Sequence, residues 1–269
     1  MSDPGQRSRE KLTKLYTNAA DAYKNLWAPE LLPLGRELLP HLSLDTARTV
    51  LEVGTGVGQL LPDLRASAPD AIVVGTDLSY GMLRLASHEF QRAVMDASQL
   101  AFKDESFDRG ILAFILFHLF NPQQGVTEIA RVLRPGGVVG TATWGDQQDP
   151  EAYDIWFEEL ATHGAPPPDP EFARFELVDK PEKVEELMGN AGLLPVNSWV
   201  GEYRASGNPD EFLAHRSGHG QSRLRLEAMP SEARNSCLER ARSRLERLGP
   251  EGFEERADVV YVVARKISG

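Results

Sequence analysis

Between Thr49 and Thr143 short apolar runs alternate with amphipathic stretches. The runs are TVLEV, AIVVGT, RAV, FDRGILAF and VVGTAT; the stretches carry Leu60, Leu61 and Leu64, then Met82, Leu83 and Leu85, then Val126, Ile129 and Val132. Continuous apolar runs suit strands covered on both faces, and a helix between successive runs makes each connection a parallel crossover. The pattern therefore predicts βαβ units and a mostly parallel sheet. Upstream, Leu12, Leu15, Tyr16, Ala19, Ala20 and Tyr23 recur every three or four positions, predicting helix from Arg9 to Leu39, broken into pieces by Pro29 and Pro33. Downstream, EAYDIWFEELATHG predicts an aromatic helix, APPPDP a loop, and PEKVEELMGNAGL a helix that starts at proline and stops near glycine. WVGEYRA reads as a strand, followed by a helix near Asn208 to His215 that ends at Gly218 or Gly220. A longer helix near Ser231 to Leu248 aligns Ala233, Leu238, Ala241, Leu245 and Leu248, and VVYVVARK is the closing strand.

A length of 269 residues fits a single α/β domain with added parts. Residues 1–47 form a helical cap, 48–144 the ligand-binding core, 145–180 the aromatic helix and proline-rich loop, and 181–269 the rest of the sheet with a helical insertion at about 206–249. The 41% hydrophobic and 26% charged fractions are those of a globular protein. A net charge of −11 is the wrong sign for gathering phosphates, so no nucleic-acid partner is expected. Arg234, Arg240, Arg242, Arg244 and Arg247 crowd one segment, but Glu232, Glu239 and Glu246 interleave with them, which predicts a solvated helix face. Cys237 is the sole cysteine, which excludes an internal disulfide and a cysteine-based zinc site. The first residues lack the apolar stretch of a signal peptide, and the longest apolar run, Ile111 to Phe117, falls short of the roughly 20 residues that span a bilayer. A cytoplasmic location without membrane attachment is the expectation.

Candidate chemistry starts at Val50-Leu51-Glu52-Val53-Gly54-Thr55-Gly56-Val57-Gly58-Gln59, three glycines between a strand and a helix. Glycine there permits a sharp turn and lets a ligand approach the main chain without meeting a Cβ. A dinucleotide fingerprint requires a third glycine where this chain has Gln59. The G-x-G-x-G spacing, preceded by Glu52, instead resembles the first motif of class I S-adenosylmethionine-dependent methyltransferases. Three further segments match that family. Asp77 ends the second strand, where the resemblance implies an acceptor for both ribose hydroxyls, with Leu78 and Met82 beside the adenosine; as bare sequence Asp77 could equally cap a helix. Asp96 and Ala97 follow the third strand, where the family places a carboxylate and an amide on the adenine; a turn-forming Asp is the other reading. FDRGILAFILFHL and RVLRPGG resemble the subgroup that includes quinone-biosynthetic and natural-product enzymes, which implies Ala113, Phe114 and His118 at the cofactor, or His118 as a hydrogen-bonded structural residue. Tyr16 and Tyr23 match an aromatic pair that in the subgroup lies over the methionine end; by spacing alone they are helix core.

The resemblance implies a Rossmann-like, doubly wound, mostly parallel seven-stranded sheet with helical lid insertions. It also implies S-adenosylmethionine as cofactor, S-adenosylhomocysteine as product and a small-molecule acceptor methylated on oxygen, nitrogen or carbon. No N-P-P-Y-type sequence follows the fourth strand, which disfavours nucleobase amino groups, and no metal site is recognisable, so no metal is expected. A non-catalytic binding module is the alternative of a different class, and a nicotinamide-dependent oxidoreductase the other enzymatic one. Tyr153, Trp156 and Phe157 suggest an apolar or aromatic acceptor, with core packing as the competing explanation. No catalytic residue is assigned; His118, His215 and His219 are candidate bases, because imidazole titrates near neutral pH, and the latter two could instead sit exposed at a helix end.

Overall fold

The computed structural model describes residues 4–267, with the backbone alone at 171. Seven strands, β1 Thr49–Val53, β2 Ile72–Asp77, β3 Gln91–Val94, β4 Phe107–Ala113, β5 Leu133–Gln148, β6 Leu193–Ala205 and β7 Glu255–Lys266, form one sheet in the order β3-β2-β1-β4-β5-β7-β6. The pairs among β1 to β5 are parallel, while β7 runs antiparallel between β5 and β6. The strand order reverses direction beside β1, so the crevice above the carboxyl ends of β1 and β4 is where such sheets take ligands.

Ten helices flank the sheet among the described residues: α1 Pro4–Leu26, α2 Ala28–Arg36, α3 Leu61–Ser67, α4 Tyr80–Leu83, α5 Pro122–Val132, α6 Glu151–Thr162, α7 Pro181–Asn190, α8 Pro209–Gly218, α9 Gly220–Glu227 and α10 Ser231–Leu245. Alternate residues of each strand feed opposite cores. Leu51, Val53, Val260 and Val262 pack with Ile129, Val184 and Met188 of α5 and α7. Val50, Val259, Tyr261 and Val263 pack with Leu34 of α2, Leu38 and Leu42 beyond it, and Leu61 and Leu64 of α3. A third core joins α6, α8 and α10 through Trp156, Leu160, Phe212, Cys237 and Ala241.

Several expectations are corrected in detail. Pro33 lies inside α2 rather than ending it, since one missing donor costs a nine-residue helix a single internal bond, and Pro29 occupies the first turn, where no donor is needed. The stretch through Met82 and Leu85 yields only one helical turn, α4, capped by the Ser79 side chain. α9 was not expected; its buried positions are only Arg225 and Leu226, so it carries no periodic apolar stripe. The arginine-rich face of α10 is more than a solvated surface: Arg244 pairs with Glu158 and Glu159, Arg240 with Glu159, and Arg242 with Asp210.

Candidate active site

Three glycines of the β1–α3 loop adopt left-handed backbone, Gly54 at φ 74°, Gly56 at φ 58° and Gly58 at φ 73°, which explains why the turn needs them. Gly56 faces a cavity of about 350 Å³. A Cβ there would come 3.4 Å from Met82 Cε and 3.7 Å from Tyr23, on the wall of that cavity. Gly58 faces away from it: an added Cβ would lie 2.7 Å from that of Ala86.

Asp77, at the end of β2, ties the loop to the next helix. Its Oδ2 accepts the Gly56 amide at 2.9 Å and its Oδ1 the Ser79 amide at 2.8 Å. Ser79, not Asp77, caps α4, so the helix-cap reading of Asp77 is corrected. A carboxylate offers about four acceptor sites, so two remain for a ligand with two hydroxyls. Burial raises the Asp77 pKa, opposed by these two amides. Asp96 is both turn former and cavity residue: Oδ1 accepts the Ser98 amide at 2.8 Å and hydroxyl at 2.7 Å, while Oδ2 lies 3.3 Å from Arg9.

Helix α1 closes the cavity from above. Tyr16 and Tyr23 meet edge to face with centroids 5.9 Å apart. The Thr17 hydroxyl is 2.8 Å from that of Ser79. His118, on the turn after β4, has Nδ1 3.0 Å from the Phe172 carbonyl and Nε2 2.6 Å from the Tyr16 hydroxyl. A carbonyl only accepts, so Nδ1 carries the proton and Tyr16 donates to Nε2. Burial pushes the His118 pKa down to about 4, against the pull of the Phe172 carbonyl, so it is neutral and its acceptor nitrogen is engaged. Phe114, immediately after β4, holds a left-handed φ of 56°, a strained conformation for a bulky residue, and meets Trp144 at a tilt with ring centroids 4.9 Å apart.

Of the residues singled out in the sequence, Tyr16, Tyr23, Gly54, Gly56, Asp77, Leu78, Met82, Asp96, Ala97, Ala113, Phe114 and His118 line this one cavity. Glu52, Thr55, Gly58 and Gln59 do not. Glu52 is buried and accepts the Thr55 hydroxyl at 2.5 Å; burial lifts its pKa to about 8, with the Thr55 bond opposing and Asp77 adding to the rise. Glu52 sits on the strand face opposite the cavity-lining Val53, and its bond to Thr55 braces the loop from that side.

Tyr153 and Trp156 are spent on the third core and Phe157 is exposed, so the aromatic segment does not wall the cavity. His215 and His219 are not exposed helix ends. His215 faces Glu30 at 3.4 Å, and its pKa is lowered by burial against the pull of Glu30. His219 packs against Tyr16 at 5.2 Å and Tyr23 at 5.3 Å; burial, with His118, Arg216 and Arg223 adding, takes its pKa to about 3. Sequence reasoning missed Gly5, Ser8, Leu12 and Thr13, whose three- and four-residue spacing with Tyr16 marks one α1 face on the cavity.

A family model described as a methyltransferase domain matches residues 51–140. The malonyl-[acyl-carrier protein] O-methyltransferase of a Marinomonas strain is 30% identical over 155 residues, 55% of this chain and 57% of that protein. The demethylmenaquinone methyltransferase of Clavibacter sepedonicus is 30% identical over 175 residues, 59% of this chain and 67% of that protein. Haemonchus contortus phosphoethanolamine N-methyltransferase 2, solved with phosphomonomethylethanolamine and S-adenosylhomocysteine, superposes with a TM-score of 0.56 at 18% identity, covering 94% of this chain and 58% of that one.

Proposed function

This chain belongs to the class I S-adenosylmethionine-dependent methyltransferases, and we propose that it transfers the methyl group of that cofactor to a neutral small-molecule acceptor. The observation that carries the reading is the pairing of a bare Gly56 with a half-buried Asp77 carboxylate on one cavity wall. The residues fit the group: Asp77 has acceptor sites left for two ribose hydroxyls, and Asp96 and Ala97 lie where an adenine edge can be read. Gly54 and Gly56 leave room for the methionine part, and Tyr16, Tyr23 and His118 close over it. S-adenosylmethionine supplies a methyl group already activated on a sulfonium.

The chain's own contribution is then positioning. Holding reactants in a near-attack arrangement can supply roughly 7 to 11 kcal/mol. The Tyr16–His118–Phe172 chain fixes one wall of the site, and contacts from α1 to Ser79 and Asp96 exclude water from above. A site covered by a helix on its open side favours a compact acceptor over a polymer. The purified protein, once denatured, is expected to release S-adenosylmethionine or its demethylated product, identified by mass spectrometry, and to turn over a member of a metabolite panel. Absence of bound nucleoside together with no calorimetric binding of S-adenosylmethionine would refute the reading.

A further inference from the structure

His219 occupies the single-residue break between α8 and α9, in extended backbone at φ −148° and ψ 167°. Its ring is boxed by Tyr16 at 5.2 Å, Tyr23 at 5.3 Å and Trp27 at 6.2 Å. Within that box His219 Nε2 and Trp27 Nε1 are both buried without a hydrogen-bond partner among the described residues. Buried polar atoms are nearly always paired, so two unpartnered nitrogens on neighbouring rings mark a place for a ligand's polar group.

We propose that His219 and Trp27 recognise the methyl acceptor, and that this acceptor is a neutral hydroxylated aromatic compound. The proposal rests on the methyl-transfer reading above. An indole nitrogen only donates, whereas a neutral imidazole nitrogen can accept; a hydroxyl is the group that satisfies both, while a carbonyl or ether oxygen serves Trp27 alone. Rings of Tyr16, Tyr23 and Trp27 offer faces and edges to an aromatic body. A cationic acceptor is disfavoured, since the Arg216 guanidinium already lies 5.3 Å from the Trp27 ring and 4.4 Å from that of Tyr153. Tyr16 and Tyr23 belong to both the box and the cavity, so the box adjoins the site. His118 cannot take this role while its Nε2 holds Tyr16, and His215 faces Glu30. His219 acts here as a hydrogen-bond acceptor that orients the hydroxyl; extended backbone at its position accommodates substitutions.

The test uses full-length protein loaded with S-adenosylhomocysteine and two probes of similar shape, 2-naphthol and 2-methylnaphthalene, titrated by calorimetry. Wild type is expected to prefer the naphthol by about tenfold. His219→Phe and Trp27→Phe should each shrink that preference to about twofold or less, His219→Gln should restore part of it, and S-adenosylhomocysteine affinity and melting temperature should stay near wild type. Equal affinity of wild type for both probes, no binding of either, or an unchanged preference in folded His219→Phe and Trp27→Phe would overturn the proposal alone. Failure of S-adenosylhomocysteine to bind in the loading step would overturn the methyl-transfer reading and this proposal with it.

Discussion

At the scale of single residues, two carboxylates on neighbouring strands, Glu52 buried and Asp77 half-buried, carry different duties. Asp77→Ala is expected to weaken S-adenosylmethionine binding by a charge-assisted hydrogen bond's worth, roughly 1.5 to 3 kcal/mol, or about 10- to 150-fold in dissociation constant by calorimetry. Asp77→Asn should lose less, because its amide oxygen still accepts from Gly56 or Ser79. A wild-type dissociation constant in a folded Asp77→Ala protein would remove Asp77 from the site. Glu52 has no access to the cavity, and its effect is on stability. With its pKa raised from 4.5 to about 8 in the folded chain, the native state retains a proton that the unfolded chain releases. Stability from this group is full below pH 4.5 and is lost as pH rises to about 8. Glu52→Gln should therefore gain on wild type in melting temperature across that window and show little difference at its acid end; a constant gap would contradict the assignment. Both acids were legible as candidates. Their division of labour was not, because a strand residue's face follows from register, and register is a property of the neighbouring strands.

At the scale of elements, α1 is held over the cavity by α4. A Cβ on Gly81 would fall 2.6 Å from Thr17 Cα, so the two helices meet backbone to backbone there. Thr17 to Ser79 and Arg84 to Asp21, each at 2.8 Å, fix the approach. Gly81→Val is expected to lift α1 and cut S-adenosylmethionine affinity by roughly tenfold or more while far-ultraviolet dichroism keeps the sheet signal, because a β-branched side chain cannot share that space. Unchanged affinity would show that α1 does not close the site. The apolar face of α1 was visible in the spacing of Leu12, Leu15 and Ala19, but the same spacing serves a helix against a core and a helix over a ligand.

At the scale of the whole molecule, the helical insertion shares with α6 a core separate from the two sheet faces. Trp156 is fully buried in it and donates to Ser222 at 3.0 Å, linking α6 to α9. Trp156→Ala should cost about 3 to 5 kcal/mol. Hydrogen exchange should show the loss as faster exchange in α6, α8 and α10, with β1, β4 and β5 near wild type. Uniform loss of protection across the sheet would mean that insertion and sheet unfold as one unit. Since His215 and His219 ride on this insertion, its stability bears on the site as well.

The sequence by itself determined the strands, the crossovers and the glycine loop, because these follow from local rules: the period of apolar positions, the turn chemistry of glycine and the acid that ends a strand. It thereby reached most of the cavity's lower wall. Tertiary structure alone decided what each amphipathic face meets. The aromatic positions of α6 turned inward to a helical core, and His219 came to rest on Tyr16 and Tyr23, some 200 residues earlier in the chain. Amphipathicity records that a face is buried; it carries no information about the partner, which is set by packing across long separations.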